Sequence, residues 1–157
     1  AYAGMLENKN VSWLPSYGPE MRGGTANCHV IITDEKVGSP ILNTATTLIV
    51  MNGPSLEKFE KMVVKGGVII LDSSLVNRTP SRDDVKVYSV PATQMASDMG
   101  NTTFANIILM GKFIAATGAI TKESFENALR KVLPAKYHSM IPDEIKALEA
   151  GMNYQEN

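Results

Sequence analysis

The chain has 157 residues, 44% of them apolar and 20% charged, and a formal net charge of −1. That length and balance suit one ordinary globular domain around one core, and they exclude disordered and fibrous classes. A charge so close to zero sets up no field for gathering a phosphodiester backbone, so nucleic acid is not an expected partner.

Ala1 to Glu7 reads as a helix, with Ala, Met and Leu spaced for one buried face and Asn8 to Asn10 as its stop. Val11 to Pro15 is a short strand. A loop rich in glycine, SYGPEMRGG (Ser16 to Gly24), follows it. TANCHVIIT then alternates Ala26, Cys28, Val30 and Ile32 against Asn27, His29, Ile31 and Thr33, the period of a strand with unlike faces. Thr47 to Asn52 is a continuous apolar run, as in a strand buried on both sides. Behind a Ser55 N-cap, Leu56, Phe59 and Met62 or Val63 fall at helical spacing, and Lys65-Gly66-Gly67 ends that helix.

The unit then repeats. GVIILDSS is a second buried strand, Asp83 to Pro91 holds a third, and a helix runs from about Ala92 to Met99. Strand, helix, strand at this spacing predicts parallel neighbours joined by right-handed crossovers. The segment from about Thr103 to Thr117 is apolar all round and predicts a central helix. Thr121 caps the next helix, which lines up Phe125, Ala128, Leu129, Val132 and Leu133 on one stripe. A last helix, Pro142 to Ala150, stops at Gly151, and the tail NYQEN is expected to fray. The expected fold is α/β: a three-layer α/β/α, Rossmann-like domain on a mixed, mostly parallel sheet. At least one strand should be antiparallel, because about a dozen residues without a helical pattern join TANCHVIIT to TLIVMN.

The most apolar stretch, Phe104 to Ile120, is shorter than the ~20 residues of a bilayer span and contains Asn106 and Lys112, so no membrane partner is expected. Cys28 is the sole cysteine, which excludes an internal disulfide and implies a reducing compartment, the cytoplasm. No Ser-His-Asp arrangement, HExxH or P-loop occurs. His29 and His138 lack companions at metal-ligand spacing, Cys28 reads as a small hydrophobe, and nothing marks Asp72 and Asp98 as an acid/base couple. No catalytic residue and no metal site is therefore assigned.

Open α/β sheets collect ligands beyond the carboxyl ends of their strands. Asn52, Gly53 and Ser55, then Ser73 and Ser74 beside Asp72, then Pro91 and Thr93, should line such a crevice; the same residue types also serve as ordinary turns and caps. The opening loop leaves two readings. Gly18, Gly23 and Gly24 serve turns while Glu20 and Arg22 pair with each other, or Arg22 offers a rigid donor fork to an anion.

VSWLPSYGPEMRGGTANCHVIIT, NGPSLEKFE and GGVIILDSSLV, in that order, resemble the gamma subunit of 2-oxoacid:ferredoxin oxidoreductases, and Pro91 to Asn106 also fits that family. Tyr17-Gly18-Pro19-Glu20 with Arg22-Gly23-Gly24 is the most specific part of the likeness. The resemblance implies that residues 1–157 form a single gamma-type domain of the pyruvate:ferredoxin oxidoreductase domain III type, lacking an opening strand and a G-x-G-G-Q-G turn. It implies alpha, beta and possible ferredoxin-like delta partners, with thiamine diphosphate, Mg2+ and iron–sulfur clusters held on those other chains. It further implies that a 2-oxoacid, of the 2-oxoglutarate or branched-chain group before pyruvate, is oxidised to an acyl-CoA while ferredoxin takes the electrons. Tyr17 to Gly24 would face the active-site region, with Arg22 on an anion of coenzyme A or on a partner carboxylate. A free-standing nucleotide-binding enzyme, with Asp72 holding a ribose, and a pure scaffold are the other readings.

Overall fold

The computed structural model describes residues 1–17 and 26–156. In chain order the helices and strands are α1 (Tyr2–Leu6), β1 (Asn10–Tyr17), β2 (Ala26–Thr33), β3 (Ala45–Val50), α2 (Gly53–Phe59), β4 (Val63–Asp72), β5 (Lys86–Val90), α3 (Ala92–Asp98), α4 (Ala105–Thr117), α5 (Lys122–Val132) and α6 (Ile141–Asn153). Short 3-10 turns occupy Glu60–Met62, Thr102–Phe104 and Ala135–Met140. The chain divides into two compact units, Ala1–Asn43 with Ala119–Ala135, and Thr44–Gly118 with Lys136–Asn157.

In the first unit, α1 ends where Asn8 takes φ 59°, a left-handed conformation that Asn tolerates. Gly4 lets α1 sit on the hairpin, because a Cβ there would come within 3.0–3.1 Å of Ile32 Cγ2 and Val11 Cγ2. β1 and β2 form an antiparallel sheet of their own, with Trp13 opposite Val30 and Pro15 opposite Cys28. The predicted alternation is present from Ala26 to Val30 with its sense reversed, while Ile32 is half-buried against α1. Ala26, Cys28 and Val30 are exposed, whereas Asn27 and His29 are half-buried; His29 Nδ1 accepts from the Leu42 N–H at 3.3 Å, which gives that imidazole a local packing role. α5 begins at the predicted cap, Thr121, whose side chain accepts from the Ser124 N–H. The Thr121 N–H and hydroxyl in turn donate to Glu7 at 2.7 and 2.9 Å, and those bonds hold the Glu7 carboxyl below its ordinary pKa. Of the predicted α5 stripe, Ala128 is buried but Val132 is 52% exposed.

The second unit holds a parallel sheet in the order β3-β4-β5. β4, the central strand, alternates between two cores. Ile70 packs with Val90 of β5, Phe104, and Ala96, Ile108, Leu109 and Ala147 from α3, α4 and α6; Ile69 and Leu71 pack with Val50, Leu56 and Val76. Burial on both faces explains why these strands read as unbroken apolar runs, and it yields the expected three layers. The antiparallel strands expected within this sheet instead make the separate hairpin.

β1 and β3 depart by one or two residues at each end from Val11–Pro15 and Thr47–Asn52, and three further differences have a contact that explains them. α2 is capped by Asn52, whose Oδ1 accepts from the Ser55 N–H at 2.8 Å, so Ser55 lies inside the first turn and is not the cap. Lys65-Gly66-Gly67 lies within β4 and does not end a helix. Gly66 takes φ +76° there, and a Cβ on Gly67 would meet the Thr46 carbonyl at 2.8 Å beside the register shift between β3 and β4. α6 runs through Gly151 to Asn153, because that glycine is a contact point and not a stop: a Cβ would lie 1.8 Å from the Ile108 carbonyl of α4, just as one on Gly111 would lie 2.0 Å from that of Leu148. These pairings run in opposite senses along the two helices, so α4 and α6 are antiparallel with backbones in direct contact.

Candidate functional site

At the carboxyl end of β4 the chain turns through Asp72, Ser73 and Ser74, and at the end of β5 through Pro91 into α3. Asp72 is fully buried. Its Oδ1 accepts from the Ser74 N–H at 3.0 Å, and its Oδ2 accepts from the Thr93 N–H at 3.1 Å and the Thr93 hydroxyl at 2.6 Å. Ser74 Oγ accepts from the Gln94 N–H at 3.1 Å, and the Ser73 N–H donates to the Val90 carbonyl. Pro91 has no side-chain donor or acceptor to cap α3, so residues from the neighbouring strand end satisfy its first turn. The structure thus unites Ser73, Ser74, Asp72 and Thr93, while Asn52, Gly53 and Ser55 form their own cap at the end of β3.

The electrostatic consequence is specific. A phosphate at such a crevice needs free N–H groups and the positive end of a helix. Here the Thr93 N–H of the first turn of α3 already points at the Asp72 carboxyl, the Gln94 N–H at Ser74 Oγ, and Ser55 donates to Asn52. Asp72 is equally unsuited to bind a ribose, being fully buried and bonded on both oxygens.

Of the loop residues, Tyr17 closes β1, paired with Ala26; Gly18, Pro19, Glu20, Arg22, Gly23 and Gly24 lie outside the described residues. Asp98 is exposed and accepts from Gln94 Nε2, a bond within one helix. Cys28 is exposed. Among the described residues no group of three or more His, Cys, Asp or Glu side chains could hold a metal ion. With one cysteine in the chain, the donor set does not fit an iron–sulfur cluster, and the crevice with its donors engaged does not fit a diphosphate. Among the described residues no helix is long and apolar enough to cross a membrane.

The sequence reading missed one polar cluster. Glu60 is 3% exposed and accepts from Arg78 Nη2, the Ser81 N–H and the Ser81 hydroxyl. Arg82 donates to the carbonyls of Glu60 and Val63 and, through Nε and Nη2, to both oxygens of Asp84. Burial opposes ionisation of Glu60, but the bonds from Ser81 and Arg78 outweigh it and hold its carboxyl below the ordinary value. The cluster ties the helix-free connection from β4 to β5 against the start of β4, a structural task. A signal was available: Glu60 falls four residues after Leu56 and three before Val63, on the stripe that α2 buries.

The pyruvate ferredoxin/flavodoxin oxidoreductase family model matches residues 1–154. The chain is 36% identical over 156 residues to the ketoisovalerate oxidoreductase subunit VorA of Methanothermobacter marburgensis, covering 98% of this chain and 32% of that one. It therefore spans about a third of that relative's length. It is 31% identical over 134 residues to the 2-oxoglutarate synthase subunit KorC of Methanocaldococcus jannaschii, covering 84% of this chain and 72% of the relative. Among solved structures it resembles the keto/oxoacid ferredoxin oxidoreductase gamma subunit of Geobacter sulfurreducens, with a TM-score of 0.78, 27% identity and coverage of 96% and 83%. With the fold and the order of motifs in agreement, the chain belongs to the pyruvate ferredoxin/flavodoxin oxidoreductase family.

Proposed function

We propose that the chain is the gamma-type component of a cytoplasmic 2-oxoacid:ferredoxin oxidoreductase, working with alpha, beta and delta-type chains to convert a 2-oxoacid and coenzyme A to an acyl-CoA. The family match over residues 1–154 carries this reading. The relatives named for ketoisovalerate and 2-oxoglutarate support a branched-chain or 2-oxoglutarate substrate over pyruvate. Thiamine diphosphate with Mg2+, and iron–sulfur clusters, supply decarboxylation and electron transfer from the other chains.

In this reading the chain's own contribution is binding and orientation by the loop from Tyr17 to Gly24. The Arg22 guanidinium holds an anionic group of coenzyme A with a planar donor fork, Glu20 orients that fork, and Gly23 and Gly24 let the backbone approach the ligand. Two observations support giving this task to the loop. The crevice at the strand ends has its donors engaged by Asp72 and Asn52, and the hairpin that carries the loop exposes Trp13 and Val30 side by side, an apolar stripe of the kind that subunits cover. The engaged crevice also weighs against a free-standing nucleotide-binding enzyme.

The test is reconstitution with the alpha, beta and delta chains. Wild type should co-purify with them, and Arg22→Ala should raise the apparent KM for coenzyme A about tenfold or more with the KM for the oxoacid unchanged. Weakened assembly with an unchanged KM would move Arg22 to a partner carboxylate. A wild-type chain that stays monomeric beside its partners would overturn the reading.

A further inference from the structure

Lys112 on α4 is 8% exposed, in the midst of the most apolar helix of the chain. Its Nζ donates to the Tyr154 carbonyl at 2.8 Å and stands 4.8 Å from the centroid of the Tyr88 ring. Both partners are neutral, and among the described residues none of the ion pairs includes Lys112. Removing an ammonium from water costs several kcal/mol, of which a ring face returns about 2 kcal/mol and a carbonyl part of the remainder. An ammonium also has three N–H bonds, and these partners use two of them.

Beside Lys112 lies a cleft of about 200 Å³, lined by Val87, Tyr88 and Ser89 of β5 and by Tyr154, Gln155 and Glu156. Its volume is below the ~300 Å³ at which larger organic ligands are held. One buried cation answers one negative charge, and the Glu156 carboxylate on the wall opposes a second. Ser89 and Gln155 add polar partners, and Val87 with the Tyr88 ring adds an apolar surface. We propose that this cleft binds a small monocarboxylate, its carboxylate on Lys112 and a short apolar substituent against Val87 and Tyr88. The cleft shares no residue with the strand-end crevice, and the proposal does not depend on the role given to that crevice or to the loop from Tyr17 to Gly24.

The experiment is an NMR titration of the full 157-residue chain with sodium propionate at pH 7, with ionic strength held by chloride. Wild type should show saturable shifts at the amides of residues 87–89 and 154–156 and at the Lys112 ammonium, and chloride alone should show none. Lys112→Met should stay folded and raise the midpoint at least about tenfold, and inorganic phosphate should bind wild type more weakly than propionate. Shifts in wild type that grow linearly without saturating, or a midpoint that Lys112→Met leaves unchanged, would overturn the proposal; so would a preference for phosphate. The wild-type titration decides the matter even if the variant does not fold.

Discussion

The crossover region around β4 and the α4–α6 helix pair both bury polar groups, but they treat them in opposite ways. In the crossover region Glu60 meets Arg78 and Ser81, Arg82 meets Asp84 and two carbonyls, and Asp72 meets Ser74 and Thr93. In the helix pair, among the described residues, the Glu144 Oε2 atom is buried without a hydrogen-bond partner and Lys112 is buried without an ion pair. Buried polar atoms in native proteins are generally paired. The first region therefore has the character of scaffold, its buried carboxylates met by neighbouring donors, and the second has capacity that its own described side chains do not fill.

The packing of the helix pair gives the largest expected effect. Gly151→Ala would set a Cβ 1.8 Å from the Ile108 carbonyl, a backbone atom that no rotamer can move aside. The two helices must separate, which uncovers Ala147 and Leu148. A loss of more than about 3 kcal/mol follows, near 10 °C in thermal midpoint for a chain of this size. Gly53→Ala is the matched control, since its Cβ meets nothing within 4 Å. Equal melting temperatures for the two variants would remove the direct backbone contact from the account.

Glu60→Ala tests the satisfied region. It deletes an acceptor for three donors and leaves the Ser81 N–H unmet, at a cost of about 3 kcal/mol, softened because Arg78 can reach water. The pH dependence has a fixed sign. The Glu60 carboxyl titrates lower in the folded chain than its ordinary value of 4.5, so the unfolded chain takes up the proton first as pH falls. The contribution of Glu60 is thus present above pH 4.5 and is lost below it, as pH falls through the folded-state value. Urea unfolding between pH 7 and pH 3 should show a shallower acid loss for Glu60→Gln than for wild type. Parallel curves would mean that Glu60 is not held in its charged form.

Much of this architecture is legible in the sequence because it rests on local pattern. β4 and β5 read as buried strands since residues on both their faces pack into a core, whereas β3, read the same way, leaves Ile49 38% exposed; α5 announced its cap through Thr121. What failed depends on contacts made at a distance. Period-two alternation tells which residues of β2 share a face, but not which face is covered, so Ala26, Cys28 and Val30 proved to be the exposed set. Gly151 resembles a helix stop until the Ile108 carbonyl is seen to lie across it. The cap of α2 was readable in principle, because Pro54 belongs in a first turn and so points to Asn52 ahead of it. The role of Asp72 was not readable, since Thr93, which closes the crevice, lies 21 residues further on.

The smallest expected effect tests the unsatisfied region. Glu144 falls on the same stripe of α6 as Ile141, Leu148 and Gly151, three residues after the first and four and seven before the others. It also sits in the first turn, where the helix dipole favours a carboxylate by about 0.3–1 kcal/mol. Burial nevertheless raises its carboxyl above the ordinary value of 4.5. Glu144→Met keeps an unbranched side chain of high helix propensity and removes both the charge and the unpaired oxygen. A gain of about 1 kcal/mol is expected at pH 7. A group whose folded-state value is raised costs nothing below its unfolded value and destabilises as pH climbs through the folded one, so the gain should shrink toward zero below pH 4.5. A loss of stability at pH 7 would show instead that the dipole term prevails and that this carboxylate belongs with the satisfied set.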